Sequence, residues 1–235
     1  MADEDPARAR VSRIAAAIAP RAPALPWRRS SFRRWAKRAL DLAVAAPAAV
    51  LALPVMATVA AAVRATSQGP ILFRQERIGL DGKLFTLWKF RTMTATLAGA
   101  EHRASEVTSQ DARLTPIGAA LRDWRLDELP QLFQVLAGEM SLVGPRPDIV
   151  ANLPAYADER LIRFAMPPGC TAWTFTRGAF ENDWATRQAI NVEYVERWTL
   201  WLDVKILVGT AWVLLVQRAT APETAEAPSQ NAAKD

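Results

Sequence analysis

The sequence predicts an α/β fold that is mostly helical: a membrane-inserted, re-entrant helix hairpin joined to a small domain that contains a β-hairpin. Three stretches carry that expectation. Ala39 to Val63 is apolar apart from Asp41, and about 25 such residues are enough to reach across a bilayer. Ile71 to Met93 is rich in β-branched and aromatic residues around Asp81-Gly82, a tight-turn pair. Leu126, Leu129, Leu132, Phe133 and Leu136 recur at helical spacing. The chain divides into a disordered basic arm at 1–30, a membrane-inserted helix at 31–66, a folded domain at 67–218 and a disordered tail at 219–235.

The composition narrows the chemistry. The 235 residues carry a net charge of +5 and a sequence pI of about 9.9, so anionic partners such as phosphates, acidic lipid or nucleic acid are favoured. Cys170 stands alone, which excludes an internal disulfide and fits a reducing compartment. His102 is also alone; that argues against His-based zinc and against a Ser-His-Asp triad, and the plain reading of His102 is a surface residue.

The first 30 residues are rich in Ala, Arg and Pro and read as an arm with a short helix near Val11–Ala19. Acidic residues at its start and the lack of a nearby apolar run speak against a signal peptide. Arg28, Arg29, Arg33, Arg34, Lys37 and Arg38 then precede the apolar segment, and Arg64, Arg74 and Arg77 follow it. Lys and Arg mark the cytoplasmic side, so both ends favour one side. Pro47 and Pro54 offer breaks, and a bend at Pro54 would make the helix re-entrant; a spanning helix is the alternative. Asp41 lies four residues after Lys37, a spacing that allows an ion pair at headgroup depth.

Within the hairpin, Lys89 and Arg91 share a face by period two, either a solvated basic face or a floor of charge for a diphosphate. Residues 94–111 are polar and read as helix plus loop, and 116–123 as a short helix. Asp127 and Glu128 follow, with Asp127 suited to an N-cap and Pro130 at the third helical position. Carboxylates at that end of a helix sit in a positive field. Downstream, Pro145 and Pro147 stiffen the chain on both sides of Arg146, and a guanidinium on a rigid loop suits a phosphate. Residues 167–173 read as a turn and strand. Asn191 to Arg218 reads as one long helix, with Trp198, Trp201 and Trp212 as an interfacial belt; its apolar run after Lys205 is too short to span.

Adjacent acidic residues on a helix usually mean only solvation. Asp127 and Glu128 together with Lys89, Arg91, Arg122 and Arg146 instead form two carboxylates among phosphate-binding cations, the set that phosphoryl transfer uses. Mg²⁺ commonly takes one or two carboxylates plus substrate phosphates.

Four motifs carry a resemblance: RLDELPQLFQVLAGEMSLVGPRP (125–147), KRALD (37–41), GPILFRQERIG (69–79) and LWKFRTM (87–93). They resemble the bacterial sugar transferases, the small monotopic phosphoglycosyl transferases, from about Lys37 to about Leu215. The resemblance implies a cytoplasmic catalytic domain on the bacterial inner membrane. It implies transfer of a sugar 1-phosphate from a UDP-sugar to a polyprenyl phosphate such as undecaprenyl phosphate, giving UMP and polyprenyl-diphospho-sugar. That reaction is the first membrane step of a surface glycan pathway such as exopolysaccharide biosynthesis. Carried over, Asp127 is the nucleophile and forms an aspartyl phosphosugar. Glu128 helps hold Mg²⁺ with Asp127 or handles protons, two roles left open. Lys89, Arg91, Arg122 and Arg146 contact phosphate. The lipid bilayer is a partner, nucleic acid is not, and a homo-oligomer stays open. Four positions depart from the family pattern: Leu53 stands where Ser usually precedes the proline, Arg125 where a small hydroxyl residue is usual, and Ala172 and Phe175 where PGITGWAQVNGR has Gly and Gln. The rival from another class is a non-catalytic membrane-anchored module that binds anionic lipid or nucleic acid; it leaves the Asp127-Glu128 pair beside Arg146 unused.

Overall fold

In the computed structural model, residues 6–94, 113–178 and 184–217 are described. The expected polar stretch at 94–111, with His102, and the tail at 219–235 fall almost wholly outside them.

The architecture is mostly helical with two small sheets. Helix α1 (Pro6–Ile18) comes first. It does not belong to a loose arm: Ile14, Ile18, Leu25 and Trp27 are buried in the main core. An Ala/Arg-rich composition hid four apolar anchors, spaced so that each meets the domain.

Helix α2 (Ser31–Thr66) starts at Ser30, whose side chain accepts from the Phe32 amide at 3.2 Å. The helix runs without interruption through Pro47 and Pro54, so the break expected at Pro54 does not divide it. Thr58 Oγ1 donates to the Pro54 carbonyl at 3.0 Å, a local bond of the kind that tolerates and bends proline-containing helices. Lys37, Asp41, Ala45, Ala49, Met56, Val59 and Val63 form a buried stripe on one side. Val50, Leu51, Leu53 and Val55, near mid-helix, are exposed. Both ends of α2 therefore pack on the same domain while an apolar middle stays uncovered.

The expected Lys37–Asp41 pair gives way to two separate anchors. Lys37 donates to Asp203 at 2.7 Å and to the Val143 carbonyl at 2.9 Å. Asp41 accepts from Ser141 Oγ and from the Leu142 amide. Both side chains are buried, where an unpaired charge is costly, so each takes its partner from the domain.

Strands β1 (Leu72–Ile78) and β2 (Leu84–Phe90) pair antiparallel, from Leu72 opposite Phe90 to Ile78 opposite Leu84. Asp81 and Gly82 have φ of 56° and 79° at the turn, the positive values that hairpin turns of this kind demand. Helix α3 (Gly118–Asp123) leads to α4 (Gln131–Ala137). Strands β3 (Ser141–Val143) and β4 (Gly169–Thr171) pair in parallel. Helices α5 (Trp173–Thr176), α6 (Trp184–Arg197) and α7 (Leu200–Trp212) follow.

The single long helix expected from Asn191 is two helices. Thr199 caps α7 by accepting from the Leu202 amide, and extended backbone there ends α6. Trp198 consequently turns inward: it is buried and donates to Asp203 at 3.0 Å. Trp201 and Trp212 remain exposed.

Candidate active site

Asp127 does not cap a helix. Leu126–Glu128 form one 3-10 turn before α4, and α4 has no side-chain cap. Within the turn the chain bonds three residues back, Glu128 N to Arg125 O and Leu129 N to Leu126 O, and Pro130 contributes no donor. Arg125 precedes this turn at φ 51°, a conformation uncommon for a non-glycine residue and worth attention near a site. The leucines of this stretch are half-buried toward α2 and the core, while Phe133, counted on the same face, is exposed.

The turn gives the two carboxylates different surroundings. Asp127 is 6% exposed, and no hydrogen bond among the described residues reaches its carboxylate. Burial and the neighbouring Glu128 charge push its pKa up to about 6, against the pull of Lys89, Arg122 and Arg146. Glu128 is clasped: Arg125 donates to Oε2 at 2.9 Å and Arg146 to Oε1 at 3.0 Å. Burial raises its pKa, but Arg146 and Arg125 outweigh that and hold it below the usual value. One carboxylate thus holds its proton to higher pH and the other gives it up more readily than usual, the separation that assigns different roles to neighbouring acids.

Of the four cations expected at the site, the structure brings three to it. Lys89 lies on β2 close enough to act on Asp127, with its ammonium 4.9 Å from the Phe73 ring centre. Arg122 acts on Asp127 from the end of α3 and donates to Thr92 Oγ1 at 2.8 Å. Arg146 bridges to Glu128. Arg91 is turned elsewhere: it donates to Ser67 O at 2.8 Å and Oγ at 2.7 Å, at the end of α2. Strand β2 stops at Phe90, so the period-two rule that paired Lys89 with Arg91 lapses at that residue. Arg125, which the sequence marked only as a departure, is the added cation. It lies 4.6 Å from the Phe175 ring centre, so two departures from the family pattern touch. Arg125, Arg146, Cys170, Thr174 and Phe175 line a small pocket beside Glu128.

Residues that no motif flagged hold these groups in place. Gln134 accepts from the Trp88 amide at 3.0 Å and donates to Thr86 O at 2.7 Å. It completes the edge of β2 from α4, which fixes Lys89 relative to Asp127. Arg163, fully buried, donates to Arg146 O, Tyr156 Oη and Gln188 Oε1; Tyr156 donates to Asp148. That network orients the backbone of Arg146. Gly144 and Gly169 let β3 and β4 approach: a Cβ on either would run into backbone atoms across the pair. Their signal in the sequence was the glycine itself; Arg163 and Gln134 gave none, since the Arg146 and Thr86 carbonyls they bind lie 17 and 48 residues away.

As a cation site, the pair supplies hard carboxylate oxygens of the kind Mg²⁺ takes. Among the described residues no hydrogen bond takes either Asp127 oxygen, and Glu128 spends two of about four lone-pair positions on arginines. Among the described residues no group of three or more His, Cys, Asp or Glu converges, so such an ion would need substrate oxygens to complete its shell.

The chain is similar in sequence to several curated transferases. The UDP-glucose:undecaprenyl-phosphate glucose-1-phosphate transferase of Escherichia coli strain K12 is 37% identical over 198 residues, 81% of this chain and 42% of that protein. The undecaprenyl-phosphate galactose phosphotransferase of Salmonella typhimurium is 36% identical over 195 residues, 77% of this chain and 41% of that protein. The exopolysaccharide production protein ExoY of Rhizobium meliloti is 33% identical over 198 residues, 79% of this chain and 88% of that protein. The chain spans about two fifths of the length of several curated relatives that it matches. The profile described as bacterial sugar transferase matches residues 32–217, which takes in α2, the hairpin, both carboxylates and α7, and the chain belongs to that family.

Proposed function

We propose that this chain transfers a sugar 1-phosphate from a UDP-sugar to a polyprenyl phosphate, undecaprenyl phosphate in bacteria, and releases UMP. The observation that carries the reading is the buried Asp127 carboxylate, which no hydrogen bond among the described residues reaches and which Lys89, Arg122 and Arg146 face. The printed names of the relatives, with glucose in one and galactose in another, supply the substrate class and leave the sugar itself open.

The chemistry runs in two displacements. Asp127 attacks the phosphorus that bears the sugar, the bond to the UMP oxygen breaks, and UMP leaves with that electron pair. An oxygen of the polyprenyl phosphate then attacks the same phosphorus, and the Asp127 carboxylate departs unchanged. A nucleophile stripped of water and hydrogen bonds reacts more readily than a solvated one. Lys89, Arg122 and Arg146 balance the charge that spreads over the transferring oxygens. Glu128, tied to Arg125 and Arg146, keeps those guanidinium groups at the phosphate. Asp127 and Glu128 would hold Mg²⁺ together with the diphosphate, and the ion would supply Lewis-acid charge stabilisation.

The acceptor is a lipid, so the uncovered middle of α2 and exposed Trp201 and Trp212 belong in the bilayer. We place the domain on the cytoplasmic face of the inner membrane, with α2 re-entrant, because both its ends pack on one domain.

Two experiments test the assignment. Incubation with a panel of UDP-sugars without lipid should leave a phosphosugar on the Asp127 peptide, read by mass spectrometry, and Asp127→Asn should neither form it nor release UMP. An adduct on another residue would overturn the role of Asp127. Exhaustive chelation with EDTA should abolish UMP release, and added Mg²⁺ should restore it; full activity after chelation would remove the ion from the scheme.

A further inference from the structure

The segment before α2 lies outside the family match, which begins at residue 32, yet it is fastened to the back of the candidate site. Three donors converge on one carbonyl: Trp27 Nε1 at 2.9 Å, Arg28 Nε at 3.2 Å and Arg28 Nη2 at 3.0 Å all reach Ala165 O. Arg13 donates to Tyr156 O at 2.8 Å and to Asp158, and Arg21 reaches Glu159 O at 3.4 Å. The segment 156–165 is therefore held at both ends. Between those ends lies Arg163, whose guanidinium binds the backbone of Arg146 and the Tyr156 hydroxyl.

The same arm also grips the hairpin. Arg28 pairs with Asp81 at the β1–β2 turn. Ile14 and Val11 sit against Gly82 so closely that a Cβ there would meet them at 3.3 Å. Ile14 is fully buried. One short arm thus contacts the hairpin that carries Lys89 and the segment whose Arg163 orients Arg146. The hairpin and the Arg146 loop touch directly as well, through Ile78 N to Asp148 O at 2.9 Å and Arg77 to Pro147 O at 3.4 Å.

We infer that residues 6–29 are a positioning clamp for the phosphate-binding cations: Trp27 and Arg28 set Arg146, through Ala165 and Arg163, against the Lys89 hairpin. The inference rests on the proposed reaction for its kinetic consequence but not for its structural one. The clamp touches no reacting atom. Its loss should loosen the hold of Arg146 and Lys89 on the donor diphosphate, before and during the Asp127 step, and leave the Asp127 carboxylate itself in place.

The test uses the full chain. Trp27→Phe with Arg28→Ala removes all three donors to Ala165 O while an aromatic ring still fills the core position. Hydrogen exchange, read by mass spectrometry on folded protein, should quicken in peptides covering 144–148 and 156–165. Exchange altered only within 24–30 would overturn the inference, whatever the enzyme does. In UMP release from a UDP-sugar, kcat/KM for the donor should fall about tenfold, the size that losing a few net hydrogen bonds allows. The same pair of substitutions in an Arg146→Lys background should add little, because the clamp acts through that residue; equal effects in both backgrounds would mark a merely structural arm. A wild-type chain that turns over no UDP-sugar would refute the proposed reaction, and the exchange measurement would still decide on the clamp.

Discussion

Asp127 shows how one side chain's surroundings determine both its reactivity and its cost. Its pKa of about 6 stands above the ordinary 3.8, first because of burial and then because of Glu128. The folded state therefore binds this proton more tightly than the unfolded chain does. Stability from the protonated form is present below about pH 4 and lost as pH rises through about 6. Above that, the ionised carboxylate costs the fold roughly 3 kcal/mol, two pKa units and a little more at 1.36 kcal/mol each. Asp127→Asn should accordingly be more stable than wild type at pH 8, with the gap closing near pH 4; thermal unfolding at the two values checks it. The donor-dependent rate kcat/KM should fall as pH drops through about 6, because only the carboxylate attacks. An acid limb near pH 4 would mean that the group is not held as the structure holds it.

The elements show which parts of the site were legible in the sequence. The hairpin, the short helix α3 and the stiff Arg146 loop follow from local chemistry: turn residues, helical spacing, prolines. Spacing named Asp127 and Glu128 without separating their surroundings: the Arg125–Glu128 pair has local i,i+3 spacing, but Arg146 and burial, which complete the difference, come from the tertiary fold. The N-cap reading failed because Asp127 lies inside a 3-10 turn entered from left-handed Arg125, and α4 starts only at Gln131. Arg91 failed because a strand's alternation ends where its ladder ends. Lys37 and Asp41 have the spacing of a helix pair, yet their partners lie 100 residues and more away. Gln134 belongs to the same illegible class and gives a prediction at this scale. Gln134→Leu removes two hydrogen bonds to the edge of β2, leaving the Trp88 N–H and Thr86 O without their partner on α4. It should destabilise the chain by about 2 kcal/mol. It should also impair donor turnover, since Lys89 sits next to the freed strand edge. Denaturant unfolding with a parallel UMP-release assay reads both; unchanged turnover in a destabilised variant would show that Lys89 is positioned from elsewhere.

At the scale of the molecule, charge and packing both bear on the re-entrant seating proposed for α2. Basic residues flank both ends of the apolar segment, and a spanning arrangement would carry Arg64 and the rest of the domain to the far side, against the charge bias. Packing adds a constraint that the sequence did not contain. Lys37 near the start of α2 is bound to Val143 and Asp203, and Val63 near its end is buried beside Phe90 and Leu121. A helix spanning from these anchors would have to tear one of them loose and expose a buried ion pair or an apolar cluster. Single cysteines at Ser31 and Ala65, both exposed, in a Cys170→Ser background would be probed with a membrane-impermeant thiol reagent. Both should label in inverted vesicles and neither in intact cells; labelling of one site in intact cells would establish a spanning helix. Pro54→Leu restores a backbone donor in mid-helix and should raise the spanning fraction. The rise should stay small while Lys37 and Val63 hold, and grow when Lys37→Ala and Val63→Asp release both ends.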